Sequence, residues 1–67
     1  MTEDIRVRVG QRIADLRKEK GITQRQLAEM SGVGFSHLAR IEQGKYNVGI
    51  DIVEKLANAL GAKIKIE

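Results

Sequence analysis

The chain has 67 residues, room for one domain, and a chain this small buries only about 60% of the surface its unfolded form exposes, so a partner subunit would help its stability. It has no cysteine, which excludes a disulfide framework and a thiolate metal site, and no stretch approaches the ~20 apolar residues of a membrane span. Twelve lysines and arginines against nine acidic residues leave a net charge of +3, which permits binding to a polyanion without requiring it.

The absence of proline, internal repeats and low-complexity tracts predicts a single domain over residues 1–67, punctuated by glycines. Thr2 followed by Glu3 and Asp4 is a helix start, and Ile5, Val9, Ile13 and Leu16 form one stripe of a first helix over 3–20, with Gly21 as its stop. Gly10 inside that pattern costs ~1 kcal/mol relative to alanine, which predicts fraying or bending of the first turns. Thr23 and Gln26 form a capping box for a second helix over 24–31, stopped at Gly32, with Leu27 and Ala28 inward and Met30 at the margin. After the Gly32-Val33-Gly34 break, a third helix over 35–43 turns Leu38 and Ile41 inward and stops at Gly44. Ile50, Val53, Leu56, Ala57 and Leu60 define a fourth over 50–60, ended by Gly61.

The last residues change period. Ala62, Ile64 and Ile66 alternate with Lys63, Lys65 and Glu67, which predicts a β-strand over 62–66. A lone strand in a helical chain has no ladder partner, so the economical arrangement pairs it with its copy in a second chain about a two-fold axis. The alternative is a frayed end of the fourth helix.

Between Thr23 and Gly44 two short helices flank a glycine break, a unit that holds one helix on a core and pushes the next outward, as domains that present side chains to a DNA groove do. Charge alone does not make that case. Residues 1–21 carry six basic and four acidic groups, 22–45 three and two, and 46–67 three of each.

The run TQRQLAEMSGV followed by LARIEQGK resembles the phage repressor and Cro (XRE-type) family of helix-turn-helix proteins, and the resemblance extends over about Val9 to Gly61. It implies an all-α, lambda-repressor-like domain whose third helix enters the major groove of double-stranded DNA. Gln24 would then meet a phosphate at the start of the second helix, and Phe35, Ser36, His37 and Arg40 would lie near base edges. Arg40 is the candidate for direct readout, since a guanidinium bonds O6 and N7 of guanine bidentately. Gln43, Lys45, Tyr46 and Asn47 fall where the family grips the backbone, and Arg17 pairs with Glu42 as a structural ion pair. Each residue also has a plainer role open to it: core packing for Phe35, solvent exposure for His37, a surface contact for Arg40. Gly34 replaces the family's usual Ser or Thr cap, and Val48-Gly49 its Pro-Ser. Many relatives continue into a fifth helix where this chain has AKIKIE, which supports a dimer formed through Ala62, Ile64 and Ile66.

The function expected is a homodimeric, cytoplasmic DNA-binding repressor or autorepressor reading a pseudo-palindromic operator; MTEDIRVR lacks the apolar core of a signal peptide. An antitoxin with a toxin partner and a restriction–modification controller fit the same chemistry, and a protein-interaction module without DNA affinity fits the modest charge. An enzyme does not fit: the single histidine occupies an outward helical position, and no carboxylate pair or phosphate loop stands at catalytic spacing. No cofactor or metal is expected.

Overall fold

The computed structural model describes residues 4–45 and 49–62. Four helices follow one another: α1 Ile5–Glu19, α2 Gln24–Ser31, α3 Phe35–Glu42 and α4 Ile50–Ala59. Among the described residues there is no strand. α3 packs on both α1 and α2, and α2 packs on α4. No helix among the described residues is long and apolar enough to cross a membrane.

Local chemistry sets the ends. Asp4, rather than Thr2, caps α1: its carboxylate accepts from the Arg6 amide at 2.9 Å and pairs with the Arg6 guanidinium at 2.7 Å. That guanidinium hydrogen bond holds the Asp4 carboxyl below its usual pKa of 3.8. The box at α2 is reciprocal, with the Gln26 amide donating to Thr23 Oγ1 at 3.1 Å and the Thr23 amide donating to Gln26 Oε1 at 2.8 Å. α3 and α4 begin at Gly34 and Gly49 with no side-chain cap.

The core is built from Leu27, Leu38, Ile41 and Leu56, all fully buried, joined by Ile13, Ala28, Val33 and Leu60. Val33 belongs to it although it sits in the break between α2 and α3. Two members of the apolar stripes stand exposed, Ile5 at 63% and Ile50 at 62%, each the first residue of its helix. Met30 is exposed as well. An apolar groove of about 470 Å³ runs between α1 and α4, lined by Ile5, Val9, Leu16, Val53 and Ala62 among others.

Gly10 does not interrupt α1. The helix is continuous through it, and a Cβ there would overlap the Ile41 carbonyl oxygen of α3, so glycine is what lets the two backbones approach. Gly44 serves the same contact from the other side, with φ of +75° and a Cβ position 2.9 Å from the Val7 Cα. At the far end, Ala62 lies outside any helix. Its amide donates to the Ala57 carbonyl at 2.8 Å and so closes the end of α4. The rest of the expected strand, with Ile64 and Ile66, lies outside the described residues.

Candidate nucleic-acid interface

The exposed face of α3 exists because the buried one is anchored. Leu38 and Ile41 sit in the core, which leaves Phe35, Ser36 and Arg40 at the surface and His37 half-buried rather than fully outward. Gln43 and Lys45, both exposed, follow directly, and the Lys45 amide returns to the Arg40 carbonyl at 3.1 Å. Tyr46 and Asn47 lie outside the described residues.

Behind this face, α1, α2 and α3 are tied through one carboxylate. Arg17 Nε donates to Glu42 Oε2 at 2.8 Å and its second amino group to Oε1 at 3.1 Å, a bidentate pair with the side chains 13% and 6% exposed. The third nitrogen of Arg17 donates to the Ile22 carbonyl at 3.0 Å. Gln24 completes the cluster: its Nε2 donates to Glu42 Oε1 at 3.0 Å. The side chain expected to meet a phosphate is thus turned toward the brace, while the first amides of α2 remain at the helix N-terminus, where a phosphate is favoured.

Pairing also changes the electrostatics. Glu42 is neutralised by Arg17, so the exposed charge between 22 and 45 is Arg25, Arg40 and Lys45 against Glu29. The field around α3 is more positive than the raw count of three against two suggests.

Two contributors escape a reading of periodicity. Ser31 Oγ donates to the Leu27 carbonyl at 2.7 Å and accepts from the Val33 amide at 3.2 Å, which fixes the path of the turn. Arg25, the second residue of α2, lays its guanidinium over the Phe35 ring, 4.4 Å from the centroid. No local spacing rule links positions on opposite sides of a turn.

Comparison with known proteins agrees with this geometry. A helix-turn-helix family model matches residues 13–65. The immunity repressor protein of Bacillus phage phi105 is 46% identical over 56 residues, covering 84% of this chain and 39% of that protein. Control protein C.BamHI of Bacillus amyloliquefaciens is 35% identical over 66 residues, 97% of this chain and 82% of that protein. The transcriptional regulator SinR of Bacillus subtilis is 40% identical over 57 residues, 84% of this chain and 51% of its own. The chain therefore spans about half or less of the phage repressor and of SinR, and most of the control protein. No solved structure matches.

Proposed function

The chain belongs to the helix-turn-helix family of DNA-binding transcriptional regulators, which are not enzymes, and from that premise we propose that it is a dimeric repressor, acting on its own or a nearby promoter. The observation that carries this reading is the outward row on α3, with Phe35, Ser36 and Arg40 exposed above a buried Leu38 and Ile41. In the major groove, Arg40 reads guanine, Ser36 and His37 bond bases or phosphates, and the α2 amides beside Gln24 meet the backbone with Gln43, Lys45, Tyr46 and Asn47. Two such helices related by a two-fold axis fit half-sites about 34 Å apart.

The dimer is assigned to the residues from Ala62 onward, with Ile64 and Ile66 as its apolar contacts. Supporting it, the apolar groove between α1 and α4 reaches Ala62, and Ile5 at its other end is exposed. Removal of residues 63–67 tests this and spares the Ala62 bond that closes α4. A monomer by sedimentation is the expected outcome, and an unchanged dimer eliminates the assignment.

The decisive experiment for DNA binding is selection from a randomised duplex pool, which should recover an inverted repeat. Affinity for it should fall with salt by ~0.9 in log K per log unit for each phosphate neutralised. No measurable affinity at low salt would leave the protein-interaction module as the better account. A second reading, control of a restriction–modification operon, is favoured by the resemblance to C.BamHI along almost the whole chain. Co-transcription with a nuclease and a methyltransferase would support it.

A further inference from the structure

Phe35 is the sole phenylalanine of the chain, and it stands 38% exposed at the first position of α3, one residue after an uncapped glycine. An aromatic ring left partly in water at a helix start is held there by something other than the core. Here that is Arg25, whose guanidinium lies 4.4 Å from the ring centroid and so ties the second residue of α2 to the first of α3. The same two residues wall a shallow cleft of about 390 Å³ beside the turn, together with Val33 and Gly34.

We infer that Phe35 reads the 5-methyl group of a thymine in the major groove, and that Arg25 is a positioning residue that fixes the tilt of the ring. The inference rests on the DNA-binding reading above. The chemistry is selective because a phenyl ring offers no hydrogen bond, and among the base edges of the major groove only thymine presents a methyl group. A ring free to turn would make a generic apolar contact. One clamped against a planar cation meets the methyl in a single orientation, and orientation turns contact into discrimination. The stacked guanidinium still has N–H groups at its edge for a phosphate, so Arg25 carries two separable effects: one common to all DNA and one confined to a single base.

The test uses the duplexes recovered from the randomised pool, with each thymine of a half-site replaced in turn by uracil, which deletes only the methyl group. One position per half-site is expected to bind about fourfold more weakly as uracil, the worth of one buried methyl. Phe35→Ala should abolish that ratio, Phe35→Leu should keep part of it, and Arg25→Met should at least halve it. Arg25→Lys, which keeps a cation beside the ring but not its planar stack, should recover it only in part. Arg25→Met should change nothing further when added to Phe35→Ala. Any loss of phosphate contact appears separately, as a smaller salt slope that is the same for thymine and uracil duplexes. A selected operator with no uracil-sensitive position, or one whose sensitivity survives Phe35→Ala, overturns the inference and leaves the DNA-binding reading standing. A ratio unmoved by Arg25→Met overturns the positioning role. Failure to select any duplex overturns the functional reading itself.

Discussion

The two ends of α3 are held by opposite means. Its C-terminal end is pressed against α1 through backbone contacts that only Gly10 and Gly44 permit, and Glu42 there takes hydrogen bonds from Arg17 and Gln24. Its N-terminal end begins at a glycine with no side-chain cap, steadied by the buried Val33 beside it and by one cation lying on an exposed ring. Burial explains the difference in strength. Removing one partner of a charge pair withdrawn from water, or forcing apart closely packed backbones, costs more than losing a solvent-exposed stack of about 0.5–1 kcal/mol. The comparison assigns rigidity to the end that fixes the angle of α3 and adaptability to the end that would sit deepest among the bases.

The largest effect should come from breaking the firm end. Glu42→Ala leaves the mostly buried Arg17 guanidinium uncompensated and releases Gln24, at a cost of about 3–5 kcal/mol by urea unfolding. For a domain of this length the total is only about 3–10 kcal/mol, so the substitution should remove about a third of it or more. An unchanged unfolding midpoint would remove Glu42 from its structural role. Arg17→Met combined with Glu42→Leu sharpens the point: it removes both charges, and its cost should be far below that of Glu42→Ala, since replacing a buried pair by apolar groups is often neutral. Next in size is Gly10→Ala. A methyl group there meets the Ile41 carbonyl, so α1 must shift from α3 at a cost of about 1–3 kcal/mol, even though alanine is the better helix former. A stabilised Gly10→Ala protein would show that the close approach is not required.

The contrast also explains what the sequence made legible. The Thr23–Gln26 box and the glycine after each helix are local chemistry, and a three-residue spacing is enough to read them. Gly10 reads as a defect on that same scale. Its purpose lies against Ile41, on another helix, and no window along α1 contains the reason. Periodicity likewise finds the faces of α1 and α4 but not where a covering neighbour stops, which is why Ile5 and Ile50 belong to stripes and yet stand exposed. Arg17 and Glu42 are 25 residues apart, so only resemblance to a family links them, and nothing in that resemblance turns Gln24 toward Glu42. Arg25 was invisible for a related reason: a stack across a turn follows from the path of the turn, which Ser31 helps to set.

At the adaptable end the expected effects are smaller. Arg25→Met should cost about 0.5–1 kcal/mol in unfolding free energy, the worth of an exposed cation on an aromatic face. No change in stability would mean that the stack does not tether the helix start.

Smallest of all is Gly34→Ser, which restores a capping oxygen. Gly34 has φ of −59° and ψ of 144°, ordinary for any residue, and nothing lies within 4 Å of a Cβ there. Serine over glycine at a cap is worth only a few tenths of a kcal/mol, a rise in melting temperature of roughly 1–3 °C for a domain this small. Its value lies in combination with Arg25→Met. Both devices hold the start of α3, one through the backbone and one through a ring, so the added cap should recover part of the stability that Arg25→Met removes. It should not recover the preference for thymine over uracil, because a hydroxyl bonded to a backbone amide leaves the tilt of Phe35 unconstrained. Recovery of both would show that the stack acts on base recognition only by holding the helix, and the difference between the two ends of α3 would then be one of strength and not of kind.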